Sequence, residues 1–248
     1  MLETERLSKS FGSLTAANNV SLRLEKGERR VVLGPNGAGK TTLFNLLAGD
    51  LRPTSGHIRI GGVDVTRLTV DARARLGLAR SYQKNNLFNE LTVRENLALA
   101  AATANGAAAW LMKDTLADRD IAEAIAEVAG LTGLRDLLAV RVDRISYGAR
   151  RQLEVALALA TRPRILLMDE PTSGIGPAMI ADIHALLKSL PRDLTILIIE
   201  HDMDLAFSVA DRITVMNYGE IVFEGDVAET RSSPLVNDIY LGGSLAHA

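Results

Sequence analysis

The sequence predicts an α/β fold with a mixed, largely parallel core sheet, a small antiparallel β subdomain and a helical subdomain. Three observations carry that prediction. Apolar runs at Arg30–Leu33, Ile165–Met168 and Thr195–Ile199 read as strands buried on both faces, the pattern of a parallel sheet. Helix-period segments alternate with them. From about Thr92 to Leu138 strand signals vanish and Ala, Leu and Glu dominate, which marks a helical insertion. A chain of 248 residues accommodates one large domain with subdomains. We expect that domain to span 1–248, with antiparallel β elements over about 1–33 and 57–65 and the helical part over about 84–160.

The elements follow in order. Val20–Leu24 alternates and ends at Gly27, so it reads as a strand. Arg30–Leu33 runs into a Gly-rich turn, and Thr41–Ala48, with Leu43, Phe44, Leu46 and Leu47, reads as a helix that Gly49 terminates. His57–Val65 is a hairpin with Ile58 and Ile60 on one face and Gly61-Gly62 as its turn, and should join the N-terminal strands. The Ala-rich run Leu97–Met112 falls short of the roughly 20 residues that cross a bilayer. Because it contains Asn105 and Gly106, it reads as a buried helix pair with a turn. Ile121, Ile125 and Val128 form a helical stripe behind Asp118 or Asp120 as cap. Ser146 and Gly148 open a helix carrying Leu153, Val155, Ala156 and Leu159, and Pro177–Leu190 is a helix with Pro near its start. Ile213–Met216 and Glu220–Phe223 make a closing hairpin around Asn217-Tyr218-Gly219.

Composition narrows the function classes. Hydrophobic residues at 47% and charged residues at 23% exclude a disordered or collagen-like chain. The 28 Lys and Arg against 30 Asp and Glu leave a net charge of −2, so no global field draws the chain to nucleic acid or anionic lipid. Any polyanion site must be local. With no cysteine, disulfides, thiolate catalysis and Cys-ligated zinc are excluded. Met1–Arg6 carries acidic residues where a secretory signal would be basic, and we expect a cytoplasmic protein.

The chemistry-bearing residues sit at element boundaries. Gly34-Pro35-Asn36-Gly37-Ala38-Gly39-Lys40-Thr41 lies between a predicted strand and a predicted helix. Its backbone amides can close around phosphate oxygens, Lys40 can reach the β- and γ-phosphates, and Thr41 can ligate Mg²⁺. Kinases and GTPases share this loop, so by itself it indicates nucleotide binding. Asp169-Glu170 end an apolar strand, where Asp169 would hold Mg²⁺ through water and Glu170 would orient and deprotonate the attacking water. His201 follows another buried strand and would sense the γ-phosphate, whereas His57, His184 and His247 read as ordinary surface or satisfied residues. Gln83 precedes the helical insertion and could couple nucleotide to its movement. Ser146-Tyr147-Gly148 opens a helix whose N-terminus can bind an anion.

Phe11-Gly12, the phosphate loop, Gln83, Ser146-Tyr147-Gly148, Asp169-Glu170-Pro171-Thr172 and His201 occur in the order and spacing of an ABC-transporter ATP-binding subunit, which the chain resembles over almost its whole length. The resemblance implies a P-loop NTPase (ABC ATPase) fold with a RecA-like core. It implies that Phe11 stacks on adenine and that Gly34, Pro35, Asn36, Gly37, Ala38, Gly39, Lys40, Thr41 and Thr42 bind ATP. Gln83 becomes the Q-loop glutamine, at the Mg²⁺ with Thr41 and Asp169, and the catalytic set is Glu170, His201, Gln83 and Lys40. Tyr147 sits in the signature turn, whose Ser146 and Gly148 bind the γ-phosphate held by a second ATPase protomer in a nucleotide-sandwich dimer. The implied partners are that protomer, identical or not, transmembrane permease subunits and, indirectly, an extracytoplasmic solute-binding protein, but no nucleic acid. The implied location is peripheral, on the cytoplasmic face of the inner (cell) membrane.

Finer features resemble the ATPases of importers for branched-chain and other hydrophobic amino acids: Ala79-Arg80-Ser81-Tyr82-Gln83, Leu91-Thr92-Val93, Ile199-Glu200-His201-Asp202-Met203 and Tyr240-Leu241-Gly242. Residues Gln83–Leu97 would then dock a membrane subunit's cytoplasmic helix. ATPases that extract envelope lipids share the Tyr-Leu-Gly ending. A soluble, non-transport ABC ATPase is a further alternative, although such proteins usually resemble tandem cassettes or carry long coiled coils. Two positions depart from the family pattern, Ala149 where Gln, Glu or Asp is usual and Gly176 where Asp or Asn is usual. Both are expected to face the partner ATPase, which suggests pairing with a different subunit and one weaker ATP site.

Overall fold

The computed structural model describes residues 1–81, 87–104 and 119–241. β1 (Leu2–Phe11) and β2 (Leu14–Val20) pair antiparallel, with Phe11 opposite Leu14 at the turn. The alternation over Val20–Leu24 predicts one strand, but β2 stops at Val20 and β3 (Arg23–Leu24) is a separate two-residue rung on β1. Thr4 causes the break. Its buried hydroxyl accepts from the Leu22 amide at 2.8 Å and donates to the Val20 carbonyl at 3.0 Å, taking backbone groups that a ladder would use.

β4 (Arg29–Leu33) is buried at every position and leads into α1 (Lys40–Ala48), closed by the Gly49 amide on the Asn45 carbonyl at 3.1 Å. β5 (Ser55–Ile60) and β6 (Val63–Asp64) form the expected hairpin and extend the first sheet in the order β2-β1-β5-β6. The first run of antiparallel elements ends at Leu24 rather than near residue 33, because β4 pairs in the other sheet.

The helical layer comes next. α2 (Val70–Arg75) and β7 (Leu78–Ser81) are too short to show a period in the sequence. α3 (Val93–Ala104) holds the first part of the Ala-rich run, whose remainder from Asn105 lies outside the described residues. Thr92 and Glu95 bond reciprocally at its start, as in a capping box. α4 (Arg119–Leu131) buries Ile121, Ile125 and Val128 as expected; Asp120 lies inside its first turn, and Asp118 lies outside the described residues. α5 (Tyr147–Ala160) completes the layer.

β8 (Ile165–Asp169), α6 (Pro177–Ser189), β9 (Thr195–Ile199), α7 (Met203–Val209), β10 (Arg212–Asn217), β11 (Glu220–Gly225), α8 (Val227–Ser232) and α9 (Pro234–Leu241) finish the chain. The second sheet runs β11-β10-β4-β9-β8-β7, parallel throughout except for the β10–β11 hairpin. Alternate side chains go to opposite faces. Val32, Leu167 and Leu197 pack with Leu43, Phe44 and Leu47 of α1, while Val31, Leu166 and Ile198 pack in the core that holds Leu97, Ile125 and Leu153. Ile199 pairs with Val32 on one side and Asp169 on the other, so the C-terminal ends of β4, β8 and β9 emerge together. That edge is where an open α/β sheet binds ligands. Among the described residues, no helix is long and apolar enough to cross a membrane.

Candidate functional site

Residues 34–41 leave β4 and enter α1 through a loop that two glycines make possible. A Cβ at Gly34 (φ 152°) would stand 2.3 Å from the Met216 carbonyl oxygen, and one at Gly39 (φ 97°) would stand 2.2 Å from that of Ala16. Neither position has room for a side chain, so the backbone lies pressed against β10 and β2. The N-cap of α1 is Gly39, which makes no side-chain cap bond, so the helix start can offer its amides to an anion. Asn36 and Gly37 are exposed at the tip, Pro35 is half-buried, Ala38 is buried, and Thr41 and Thr42 open the helix exposed and half-buried respectively.

Lys40 is buried and folds over this loop, its Nζ donating to the carbonyls of Gly34 at 2.5 Å and Pro35 at 3.0 Å. Burial lowers its pKa, opposed in turn by the charges of Glu170, Asp169 and Glu200. The loop lysine and the carboxylates at the ends of β8 and β9 therefore form one electrostatic cluster. Burial raises the Asp169 carboxyl above the usual range, with Arg80 as the strongest opposing influence. Arg80 Nη2 donates to Asp169 Oδ2 at 2.9 Å, and Nη1 donates to Asn45 Oδ1 on α1 at 2.7 Å and Asp50 Oδ2 at 2.9 Å. Arg80 thus ties the phosphate-loop helix to β8. Glu170 has φ 45°, a left-handed conformation costly for any residue with a Cβ, and its amide donates to the Ile199 carbonyl at 3.0 Å.

His201 is exposed at the end of β9, with Nδ1 3.6 Å from Glu200 Oε2. Phe11 is 48% exposed at the β1–β2 turn, so it is not a core aromatic. The Lys9 ammonium lies 5.0 Å from its ring centroid. Because Ala16 of β2 abuts Gly39, this turn lies beside the phosphate loop. Gln83, with Tyr82, lies outside the described residues, as does Gly242.

The signature turn stands apart. Ser146 caps α5 by accepting from the Ala149 amide at 3.2 Å, Ser146 and Tyr147 are exposed, and Gly148 packs near Met179. No hydrogen bond among the described residues joins 146–148 to 34–41. Of the two unusual positions, only Gly176 lies at the surface; its Cβ would meet nothing within 4 Å. The expectation that Ala149 faces a partner is corrected, because Ala149 shares the buried stripe of α5 with Leu153 and Ala156, at helical spacing.

A nucleotide's phosphates fit this loop by the amides at the start of α1 and the enclosed Lys40 ammonium. Among the described residues no group of three or more His, Asp or Glu side chains could hold a metal alone. Thr41 and Asp169 instead suit Mg²⁺ bound mainly by phosphate oxygens and water, the usual coordination of that ion.

Residues 17–173 match the ABC transporter family. The chain belongs to that family. Two relatives are high-affinity branched-chain amino acid transport ATP-binding proteins. BraF of Pseudomonas aeruginosa is 37% identical and LivG of Salmonella typhimurium 38%, each over 98% of both chains. Among solved structures, the ADP conformation of an ATP-binding cassette of an ABC transporter is 30% identical, with a TM-score of 0.85 over 98% of each chain. A dimeric, post-hydrolysis ATP-binding cassette bound to ADP and Pi is 25% identical, with a TM-score of 0.76 over 92% of this chain and 99% of that one. The expected ABC ATPase fold is the one observed. Arg80 and Glu200 join the site only in the structure: Glu200 carries the signal of a charge directly after an apolar buried strand, whereas β7 is too short to mark Arg80 in the sequence.

Proposed function

We propose that residues 1–248 form one ATPase domain acting as the motor subunit of an ABC importer for branched-chain or related hydrophobic amino acids. The observation that carries this reading is the convergence of Lys40, Asp169, Glu170 and His201 at one sheet edge in a chain similar from end to end to such transport ATPases. The loop amides and Lys40 hold the phosphates and Phe11 offers its exposed ring to the base. Thr41 and Asp169 would hold Mg²⁺, with Gln83 beside them; when bound, the ion neutralises phosphate charge. Glu170 takes a proton from the attacking water while His201 fixes the γ-phosphate; the water oxygen bonds to the γ-phosphorus, the bond to the β–γ bridging oxygen breaks, and ADP and inorganic phosphate result. Ser146 and Gly148 would serve the phosphate of a second protomer, at the cytoplasmic face of the cell membrane. With Ala149 buried, the reading of a different ATPase as that protomer rests on Gly176, an exposed glycine where the family usually carries Asp or Asn. An ATP-dependent homodimer with full, cooperative hydrolysis would argue against it.

A groove of about 410 Å³ supports a permease docking site. Val70, Ala74, Leu78, Leu87, Leu157 and Ala158 line it. Beside it Phe88 is 58% exposed, on a loop held by Asn96, whose amide group accepts from the Phe88 N–H at 3.0 Å and donates to its carbonyl at 3.1 Å. Affinity purification of the tagged chain from detergent-solubilised membranes tests the reading. Recovery of multi-span permeases and a second ATPase is expected; recovery of soluble partners alone overturns it.

A further inference from the structure

Glu200 is fully buried where β9 ends. A carboxylate removed from water is costly unless its lone pairs find donors. Here Oε1 accepts from the Thr172 amide at 3.1 Å and the Thr172 hydroxyl at 2.5 Å, while Oε2 accepts from the amides of His201 at 3.0 Å and Asp202 at 3.3 Å. One side chain thus grips two backbone segments by its opposite oxygens. The first is the loop after β8, two residues beyond Glu170. The second is the turn that carries His201. Glu200 is not needed to cap α7, because Asp202 already accepts from the amides of Asp204 and Leu205. Shut off from solvent and fully bonded, Glu200 has no access to a reacting water.

We propose that Glu200 is a positioning residue for ATP hydrolysis, holding the Glu170 loop and the His201 turn in one fixed relation. The inference rests on the roles proposed above for Glu170 and His201. The left-handed backbone at Glu170 strengthens it, since a residue in that conformation persists only where its surroundings over-determine it. Glutamine at position 200 has the same shape and can still accept from Thr172. In either orientation, however, its amide NH₂ would face backbone N–H groups, those of His201 and Asp202 or that of Thr172, donor against donor, and one of the two segments must shift.

The test compares steady-state Mg-ATP hydrolysis with equilibrium binding of a fluorescent ATP analogue, using the tagged full chain purified in complex with its partner ATPase and permeases, well below the unfolding midpoint of every variant. Glu200→Gln should lower kcat by about tenfold or more and leave nucleotide Kd within about threefold, the split expected when binding is intact and the transition state is not. Combined with His201→Ala, the losses should be less than multiplicative, because the part of the Glu200 effect that runs through the His201 turn is already gone while the part that runs through the Glu170 loop remains. Thr172→Val attacks the same carboxylate from the other side and serves if Glu200→Gln fails to fold; Thr172→Ser should restore much of the loss. Turnover of Glu200→Gln within twofold of the unaltered chain, or full additivity with His201→Ala, overturns the proposal. Normal turnover in both Glu170→Gln and His201→Ala overturns instead the site assignment beneath it.

Discussion

The Arg80 guanidinium holds the Asp169 carboxylate at 2.9 Å, with both side chains almost wholly enclosed. Removing one member of such a pair leaves the other charge buried alone, which costs about 3–5 kcal/mol. Arg80→Met should therefore lose roughly that much stability at neutral pH in urea unfolding. The pKa of Asp169 is already raised by burial and rises further without Arg80. A carboxyl whose folded pKa lies above its unfolded value favours the folded state below the unfolded pKa and loses that contribution as pH rises through the folded one. The deficit of Arg80→Met should accordingly be smallest in acid and open as pH rises.

Lys40→Ala removes the only cation that reaches the Gly34 and Pro35 carbonyls among the described hydrogen bonds, and with it the expected partner of the phosphates. Tight ATP binding should be lost, by about tenfold or more in Kd measured by calorimetry. Unchanged affinity would count against phosphate binding by this loop.

Glu170→Gln keeps the shape of the side chain and removes its basicity. Turnover should drop by about two or more powers of ten while ATP affinity is retained. A rate within twofold of the unaltered chain would remove Glu170 from the role of base.

Arg73 closes the far end of the phosphate-loop helix. Its buried guanidinium donates from Nη1 to the carbonyls of Leu46 at 2.5 Å and Leu47 at 2.7 Å, and from Nη2 to that of Thr66 at 3.3 Å. These are charge-assisted bonds, and the Leu46 and Leu47 carbonyls are among those that the end of α1 leaves unpaired. Arg73→Ala should cost about 3 kcal/mol in chemical unfolding and weaken nucleotide binding less than Lys40→Ala does.

Glu95 accepts from the amide and hydroxyl of Thr92, and these bonds lower its pKa. A depressed carboxyl contributes stability above its unfolded pKa, near 4.5, and loses it as pH falls through the folded value. Glu95→Gln should melt below the unaltered chain at pH 7, with the two curves converging in acid. A constant difference across pH would show that the carboxylate charge is not what holds the start of α3.

Residues whose chemistry depends on near neighbours were legible in the sequence. The glycines of 34–39 with Lys40, the acids after an apolar strand and Ser146 before a helix each carry their chemical signal within a few residues, because loops, strand ends and caps are local structures. The buried strands were legible for a similar reason, since both faces of a parallel sheet require apolar runs. β1, β7 and α2 were not, because Thr4, Leu78 and Arg73 owe their conformation to partners far along the chain.

Pairings of distant residues were left to the tertiary structure. The order β11-β10-β4-β9-β8-β7 decides that residues 34–41, 169–170 and 200–201 meet at one edge. Packing decides that Ala149 turns inward while Gly176 remains exposed. Thr172 reaches the carboxylate of Glu200, and Asn45, Asp50 and Asp169 reach the guanidinium of Arg80, only when segments separated by many residues lie a few ångströms apart. A buried charge is tolerated there because its hydrogen-bonding groups are satisfied by those distant segments. The local sequence determined which chemical groups this protein carries, and the long-range packing determined which of them act together.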